Sequence, residues 1–337
     1  MPRPPRFWTE DGGKLGNTLF PLLLGPASAV LTRLAAARAR RARAGFRAPV
    51  PVLCCGNVTV GGAGKTTLAL DLAGRLGRAG MEVHILARGY GGRLKGPVRV
   101  ETGQGGHDAK AVGDEALLLA AAAPTWIGAD RGETARAAAA AGAEVLVLDD
   151  GLQNPSLQKS FSFIVIDGVA GFGNRRVLPA GPLREPVAAA AERAGAAVLI
   201  GPDRSGARAL LPPELPVLTA RLMPGPEAAG LAGRRVLAFT GIARPAKFFS
   251  TLEEAGAVPA ARRVFPDHHA FRPGEVERLL AEAARLGALP VTTAKDAVRL
   301  SPAERGQVTT LTVTLAWDKP AALAALLAPF LPATASL

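Results

Sequence analysis

The sequence predicts an α/β protein with a mainly parallel sheet flanked by helices, followed by a second, smaller α/β domain. Three observations indicate this class. Short strand-like runs alternate with helix-compatible runs, several of the strand-like runs are continuously apolar, as buried parallel strands are, and a glycine-rich loop joins the first of them to a helix. A chain of 337 residues is long enough for two domains. We expect an N-terminal segment over 1–48, a core domain over 49–225 and a C-terminal domain over 226–337.

The glycine-rich loop, GNVTVGGAGKTT, spans 56–67 and precedes the helix-compatible run LALDLAGRL. Successive backbone N–H groups of such a loop can surround a phosphate, and the helix N-terminus adds the positive end of its dipole. Lys65 would reach the β- and γ-phosphates, and the Thr66 hydroxyl would ligate Mg²⁺. The usual spacing has a glycine where this chain has Thr59, and the alternative is a tight turn with a surface lysine. The order of strand, loop and helix favours a P-loop NTPase-like sheet, with these nucleotide-binding residues: Thr59, Val60, Gly61, Gly62, Ala63, Gly64, Lys65 and Thr66.

A second apolar run, EVLVLDD over 144–150, ends in the two carboxylates of Asp149 and Asp150. Parallel strands end at one edge of the sheet, so these side chains would lie beside the phosphate loop and offer oxygen ligands to Mg²⁺. Ordinary turn aspartates are the alternative. Together with Lys65 and Thr66, the pair predicts hydrolysis of ATP or GTP, or transfer of a phosphoryl group.

The other elements of the core domain follow from the same alternation. We expect Asp114 to lie at or near the N-cap of the helix in VGDEALLLA. The strand at 196–201 is expected to close the first sheet, and the Pro- and Gly-rich stretch 202–234 to be a linker. The predicted elements are helix 66–79, strand 82–87, loop 88–92, strand 97–101, turn 103–106, strand 125–129, helix 131–141, strand 144–149, strand 161–167 and an irregular stretch over 171–186.

The C-terminal domain is predicted to be a second α/β unit that begins with the strand RRVLAFTG at 234–241. A helix, the strand ARRVF and the turn PDHHAF follow. The remaining expected elements are helix 273–286, strand 289–293, strand 309–315 and a final helix over 319–330.

The net charge of +12 is concentrated near the N-terminus, where no acidic residue occurs between Asp11 and Asp71. An uncharged, largely apolar run at 15–32 precedes Arg33, Arg38, Arg40, Arg41, Arg43 and Arg47. Pro21, Gly25 and Pro26 interrupt this run, which makes a bilayer span a poor fit. We interpret the segment as one that lies on an anionic membrane surface. A nucleic-acid-binding arm and a plain surface helix are the alternatives, and the scarcity of aromatic residues among the arginines, where Phe46 alone occurs, disfavours nucleic acid as a partner.

Seven motifs occur in the order GNVTVGGAGKTT, RGYGG, VGDEALLLA, DDGLQ, LPAGPLREP, FPDHHAF and TAKDAV. In this combination the chain resembles the tetraacyldisaccharide 4′-kinase family of lipid A biosynthesis, from about residue 50 to residue 300. The resemblance implies a peripheral enzyme on the cytoplasmic face of the inner membrane. It would use ATP and Mg²⁺ to phosphorylate the 4′-hydroxyl of a tetraacyldisaccharide 1-phosphate.

The resemblance also implies roles for individual residues. Asp114 and His268 would act as one catalytic base, together with Lys65 at the phosphates. Glu185 would join Thr66, Asp149 and Asp150 around the metal, and the predicted substrate contacts are Arg88, Tyr90, Gln153 and Arg184. The alternatives are a helix-capping aspartate, turn histidines, a salt bridge within a loop and ordinary surface-loop residues.

Two other classes share parts of the pattern. A membrane-associated regulatory ATPase of the partitioning type has a similar loop, but it carries a signature lysine where this chain has Val60. A basic nucleic-acid-binding P-loop protein would explain the net charge, but the second domain contains no recognised nucleic-acid-binding motif. DNA should stimulate the ATP turnover of these two classes, and a lipid A disaccharide monophosphate should stimulate that of the kinase.

Overall fold

The computed structural model describes residues 5–8, 13–42, 44–103, 105–272 and 274–332. Within these ranges the chain forms two sheets. The strands are β1 (Val52–Gly56), β2 (Val83–Ala87), β3 (Val98–Arg99), β4 (Thr125–Ile127), β5 (Val145–Asp149), β6 (Phe161–Asp167), β7 (Ala196–Ile200), β8 (Val217–Pro224), β9 (Arg235–Thr240), β10 (Val258–Val264), β11 (Leu289–Thr293), β12 (Thr309–Leu311) and β13 (Val313–Trp317).

Helices flank both sheets, and short 3₁₀ turns occur at Arg6–Trp8, Ala207–Leu210, Pro226–Leu231 and Ala328–Phe330. The helices of the described residues are α1 (Gly13–Ala42), α2 (Lys65–Arg78), α3 (Ala109–Val112), α4 (Asp114–Ala120), α5 (Arg131–Ala140), α6 (Val187–Ala191), α7 (Pro245–Glu254), α8 (Glu275–Arg285), α9 (Ala294–Ala297), α10 (Pro302–Arg305) and α11 (Pro320–Leu327). The helix expected over 273–286 begins at Glu275, and Pro273 lies outside the described residues.

The large sheet has the strand order β13-β8-β7-β6-β1-β5-β2-β4-β3. Its central strands run parallel, and β1, β2, β5 and β7 are buried at every position. This complete burial explains their continuous apolar sequence, since helices cover both faces of the sheet. Because β5 pairs with one side of β1 and β6 with the other, the carboxyl ends of these three strands surround the loop that follows β1.

The prediction that strand 196–201 closes the first sheet is wrong. Strand β8 pairs parallel with β7, and β13 then pairs antiparallel with β8, so the stretch expected as a linker contributes a strand. The predicted strand 309–315 is divided between the two sheets, with β12 in the small one and β13 in the large one. Side chains of α11, Leu323 and Leu327, are buried in the core of the large sheet. The chain after Thr312 therefore packs with the first unit, and the expected C-terminal domain does not extend through it.

The small sheet has the order β10-β9-β11-β12, and all its pairs are parallel. Phe248 and Leu252 of α7 pack on one face, and Val276 and Leu279 of α8 pack on the other. The loops after β9 and β10 and helix α9 after β11 lie at its carboxyl edge, where open α/β sheets bind ligands.

Helix α1 is attached by polar contacts to the irregular segment at 171–186. Ser28 Oγ donates to the carbonyl of Val177 at 2.7 Å, and Trp8 Nε1 donates to the carbonyl of Pro179 at 3.1 Å. Among the side chains of α1 that the structure describes, five large apolar ones are exposed: Phe20, Leu23, Val30, Leu31 and Leu34. Within the described residues, no helix combines the length and the apolar character needed to cross a bilayer. Arg43, counted above in the arginine cluster, lies outside the described residues.

Candidate active site between the two sheets

The loop after β1 has the backbone of a phosphate cradle. Gly64 is the N-cap of α2 and has a φ of 99°, in the left-handed region that favours glycine. A Cβ at this position would lie 2.6 Å from Ile200 Cδ1, so the close packing of the loop on the sheet also requires glycine. By contrast, a Cβ at Gly61 or Gly62 would meet nothing within 4 Å, so the loop is open on that side.

Lys65 lies between the loop and the two aspartates. Its Nζ donates to Asn57 Oδ1 at 3.1 Å and is 3.7 Å from Asp150 Oδ1. Asn57 is fully buried and also donates to Thr59 Oγ1 at 3.2 Å. The amide of Asn57 therefore positions the lysine above the loop, a contact that the sequence motif did not indicate.

Asp149 ends β5 and lies next to the first turn of α2. Thr66 Oγ1 donates to its Oδ2 at 3.0 Å, whereas its Oδ1 is buried and has no hydrogen-bond partner among the described residues. Burial, followed by the negative charge of Glu115, raises the pKa of Asp149 to about 7. An unpaired carboxylate oxygen beside a threonine hydroxyl is a suitable pair of ligands for Mg²⁺, which prefers oxygen. No cluster of three or more His, Cys, Asp or Glu side chains suited to a metal occurs among the described residues, so a metal here would take its other ligands from the phosphates and water.

Asp150 follows directly but has different surroundings. Arg184 holds its carboxylate with both terminal nitrogens, at 2.8 and 3.2 Å. Burial opposes the charge, but Lys65 and Arg184 outweigh it and lower the pKa of Asp150. Its φ of 52° is in the left-handed region, which is uncommon for a residue other than glycine. Of the two aspartates, Asp149 is therefore the one with an oxygen that no described group binds, and the metal roles of both stay predictions.

Asp114 and His268 come from different units and meet between the two sheets. His268 Nδ1 lies 2.9 Å from Asp114 Oδ2, and Arg299 Nε donates to the same oxygen at 2.9 Å. Asp114 Oδ1 accepts from the backbone N–H of Glu115 at 2.9 Å. Burial opposes the charge, but the hydrogen bond from His268 and the charges of Arg299 and Lys295 hold the pKa of Asp114 well below its usual range. An ionised Asp114 accepts from Nδ1–H and leaves Nε2 as the basic nitrogen of His268.

The sequence is similar to one family of enzymes along almost its whole length. The family model for tetraacyldisaccharide-1-P 4′-kinases matches residues 20–331. The chain belongs to this family. It is similar to the tetraacyldisaccharide 4′-kinases of Gluconacetobacter diazotrophicus, with 59% identity over 94% of this chain and 95% of the relative, and of Rhodospirillum centenum, with 56% identity over 97% and 96%.

The fold also matches a solved structure. The crystal structure of the "apo" form of LpxK from Aquifex aeolicus in complex with ATP has a TM-score of 0.71, covers 92% of this chain and 98% of that chain, and is 24% identical in sequence. At this identity the likeness supports the fold, an α/β protein with a mostly parallel central sheet. The fold class predicted from the sequence is thereby confirmed, as is the family.

Two residues predicted for this kinase-family site, Glu185 and Gln153, contact each other. Glu185 is almost fully buried, but its carboxylate accepts from Arg193 at 2.8 and 2.7 Å and from Gln153 at 2.9 Å. Gln153 also donates to the carbonyl of Asn57 at 2.9 Å. Gln153 therefore links Glu185 to Asn57 of the phosphate loop. The metal role of Glu185 and the substrate role of Gln153 stay predictions.

Tyr90 and Arg88 border the opening of the site. The Tyr90 ring is exposed, and its centroid is 6.1 Å from that of His268. Arg88 is exposed and lies near Arg131, whose pKa is lowered to about 10 by burial first and then by the positive charge of Arg88. Tyr90 therefore lies beside His268, and the substrate roles of Tyr90 and Arg88 stay predictions.

The structure adds cations that the motifs did not single out. Arg299 is buried and donates to Asp296 Oδ1 at 2.8 Å as well as to Asp114. Lys295 donates to Glu115 Oε1 at 2.9 Å. The motif TAKDAV places Lys295 and Asp296 in the first turn of a short helix. This order of charged residues was the sequence signal that could have indicated these cations.

A second contact between the units lies at the end of β6. The buried carboxylate of Asp167 accepts from Arg244 and Lys247, which belong to the start of α7. Its other oxygen accepts from the backbone N–H groups of Val169 and Ala170, both at 3.0 Å. Burial opposes its charge, but the bonds and charges of the two cations lower the pKa of Asp167.

Proposed function

We propose that this chain transfers the γ-phosphate of ATP to the 4′-hydroxyl of a tetraacyldisaccharide 1-phosphate in the cleft between its two sheets. Membership of the family makes it a phosphotransferase with an alcohol acceptor, in lipid A biosynthesis. The observation that carries the assignment of the site is the contact between Asp114 and His268. It brings an acid–base pair to the same edge of the sheet as Lys65, Thr66 and Asp149.

The phosphate loop would bind the triphosphate through its backbone N–H groups and through Lys65. Asn57 holds the lysine and Gln153 braces the loop, so the cation would not have to be ordered during the reaction. Thr66 and the unpaired oxygen of Asp149 fit as ligands of Mg²⁺, which when bound would neutralise charge on the phosphates.

We assign the proton transfer to His268. Asp114 accepts from Nδ1, so Nε2 is the nitrogen that would take the proton as the 4′-hydroxyl oxygen attacks the γ-phosphorus. Asp114 is already bonded to His268, Arg299 and the backbone of Glu115, so it would orient and stabilise the imidazolium rather than bind the proton itself.

We further propose that α1 places the enzyme on an anionic membrane surface, on the cytoplasmic face of the inner membrane. At 100° per residue, its five exposed apolar side chains fall within about 100° of one another, and Arg38 and Arg41 follow on the same side. An apolar stripe that ends in arginines suits the boundary between acyl chains and anionic headgroups.

The decisive experiment is transfer of labelled γ-phosphate from ATP to the tetraacyldisaccharide 1-phosphate in neutral detergent. Lys65→Ala should lose most of the transfer, on the order of 10³-fold, because the cation on the phosphates is removed while the fold is kept. Arg78→Ala, an exposed cation later in the same helix, should transfer as the wild type does. If the wild-type protein turned over ATP only with DNA, the regulatory ATPase would be the better assignment.

Membrane binding has its own measurement. Replacing Arg38, Arg40, Arg41 and Arg43 with glutamine should weaken binding to anionic vesicles by about 1 kcal/mol for each arginine. The same substitution at Arg204, Arg208, Arg234 and Arg235 provides a control of equal charge. Binding that resists salt and carbonate extraction would contradict a peripheral location.

A further inference from the structure

Arg299 follows the short helix α9, and its guanidinium is buried between two carboxylates. Its side chain is 5% exposed, and those of Asp114 and Asp296 are 8% and 0% exposed. Its Nε and Nη2 both donate to Asp114 Oδ2, and its Nη1 donates to Asp296 Oδ1 at 2.8 Å. His268 Nδ1 lies 2.9 Å from the same oxygen of Asp114. The arginine and the histidine therefore share one acceptor atom.

Arg299 also contacts the backbone that holds His268. Its Nη1 donates to the carbonyl of Gly241 at 3.2 Å, and this carbonyl accepts from the backbone N–H of His268 at 3.0 Å. His268 has a φ of 59°, in the left-handed region, and such a conformation persists only where the surroundings hold it. Arg299 thus supports the histidine at two points, through Asp114 at the ring and through Gly241 at the backbone.

Asp296 fixes the guanidinium in this place. Its Oδ2 accepts from the hydroxyls of Thr240 and Thr293 at 2.7 and 2.6 Å, and its Oδ1 accepts from the backbone N–H of Gly241 at 3.0 Å as well as from Arg299. Both oxygens are therefore engaged, and the carboxylate cannot turn away from the arginine. Its negative charge offsets part of the positive charge that Arg299 places beside Asp114.

Ionisable groups from neighbouring elements also face the pair of Asp114 and His268: Lys295 of α9, Glu115 of α4, Asp267 of the loop after β10 and Tyr90 of the loop after β2. Lys295 donates to Glu115 at 2.9 Å, so these two charges oppose each other. Asp267 Oδ2 lies 3.8 Å from His268 Nε2, and the centroid of the Tyr90 ring lies 6.1 Å from that of the imidazole. A substitution of Arg299 or Asp296 leaves all four groups in the protein.

We propose that Arg299 is a positioning residue that sets the pH range in which His268 acts as a base. This inference rests on the proposed function, in which His268 Nε2 takes the proton of the 4′-hydroxyl. A positive charge beside Asp114 opposes a second positive charge on the imidazole, so it keeps the imidazole neutral, and able to accept a proton, down to a lower pH. Asp296 acts in the opposite direction, because it neutralises part of the charge of Arg299.

The test is the pH dependence of kcat, measured with saturating ATP and tetraacyldisaccharide 1-phosphate in neutral detergent. The wild type should lose activity in acid as the base becomes protonated. Arg299→Gln should move this acid limb to higher pH by about 1 unit or more, so that kcat on the limb falls about 10-fold and recovers at higher pH. Arg299→Lys keeps the charge and should leave the limb near its wild-type position.

Asp296→Asn should move the acid limb the other way, to lower pH, and by a smaller amount, because it acts through Arg299. A folding defect would lower kcat without producing shifts of opposite sign, so the two variants separate an electrostatic role from a structural one. Thermal unfolding shows whether each variant is folded. If Arg299→Gln does not fold, the direction of the shift in Asp296→Asn decides.

Arg305→Gln is the control, because Arg305 braces the same segment by donating to the carbonyls of Ala297 and Leu300 at 3.0 and 3.2 Å. Its acid limb should stay in place. An unmoved limb in Arg299→Gln, an equal shift in Arg299→Lys, or a limb in Asp296→Asn that stays or moves to higher pH would overturn the proposal. A wild type without an acid limb would refute His268 as the base and this inference with it. A wild type that transfers no phosphate to the lipid would instead refute the proposed function.

Discussion

Two buried carboxylates join the large sheet to the small unit, and they differ in what surrounds them. Asp114 binds His268 and the buried Arg299 beside the phosphate loop. Asp167 binds Arg244 and Lys247, whose side chains are 38% and 41% exposed, at the end of β6. In both places a carboxylate from the large sheet accepts from two side chains of the second unit, and in both its pKa is lowered.

The difference shows how one kind of contact can serve two purposes. At Asp114 one of the two partners is a histidine, and its Nε2 is not used by the contact with Asp114, so this nitrogen can exchange a proton. At Asp167 the partners are an arginine and a lysine, which donate to the carboxylate, so we expect this contact to hold the units together. We therefore expect changes at the first contact to affect kcat and changes at the second to affect stability.

The largest effect is expected at the Asp114–His268 pair. Asp114→Ala and His268→Ala should each lower kcat by about 10²- to 10⁴-fold, the usual contribution of a positioned general base. The double variant should be little worse than the worse single variant, since the two act as one unit. Steady-state transfer kinetics give all three values.

His269→Ala is the matched control for this pair. His269 is adjacent in sequence, but its Nε2 contacts Glu275 at 2.8 Å within the second unit. It should keep nearly normal kcat. Fully additive losses at Asp114 and His268 would show that the two do not share one role.

A third buried carboxylate, Asp149, can be compared with Asp114 and Asp167. Among the described residues, no cation from the second unit binds it. Its raised pKa means that its protonated form favours the folded state, so its contribution to stability is present below about pH 4 and is lost as the pH rises through about 7. Asp149→Asn should therefore stabilise the protein at pH 8 without Mg²⁺ or nucleotide, on the order of 2–4 kcal/mol. Urea unfolding at pH 5 and pH 8 measures this difference.

Asp150→Asn should change the stability of the protein in the opposite direction. The pKa of Asp150 is lowered by Lys65 and Arg184, so removing its charge should destabilise the protein at the same pH. Both variants should lose transfer activity. If Asp149→Asn destabilised the protein as Asp150→Asn does, then burying the ionised carboxylate of Asp149 would not be unfavourable in the folded state.

The smallest effect is expected at the second contact. Asp167→Ala should lower the free energy of unfolding by about 1–2 kcal/mol, a modest value because solvent screens both partner cations. Because the pKa of Asp167 is lowered, this stabilisation is present above about pH 4 and disappears as the pH falls below it. The unfolding free energies of variant and wild type should therefore converge in acid, while kcat at pH 8 changes less than 10-fold.

Asp203→Ala, which removes an exposed carboxylate that caps a 3₁₀ turn, is the control. A loss of kcat as large as that of Asp114→Ala would mean that the two contacts do not differ in role.

Much of the nucleotide site could be predicted because its parts are local. The loop before α2 needs glycine at Gly64, and Thr66 follows from the same motif. The apolar run of β5 placed Asp149 at the carboxyl edge without knowledge of any partner. The pairing of Asp114 with His268 was also expected, but from the resemblance to a family, since 154 positions separate them.

Other features depended on packing that no local pattern records. Strand β8 lies in a stretch rich in proline and glycine, and it forms because β7 offers it an edge and β13 covers its other side. Glu185 is predicted to lie at the metal, and only the fold shows that Arg193, eight positions later, donates to its carboxylate. Asn57 resembles an ordinary loop residue until Lys65 is seen to donate to it.

The sequence by itself determined the fold class, the glycine-rich loop and the edge of the sheet at which we propose the chemistry, because these follow from residue spacing and burial along single elements. Only the tertiary structure decided which charges neutralise which. Arg299, Arg244 and Lys247 are surface-like residues in sequence, and each becomes a partner of a buried carboxylate when the small sheet packs against the large one. A buried charge is tolerated only with a partner at hydrogen-bond distance. The packing of the two units, and not the local sequence, decides which residue becomes that partner.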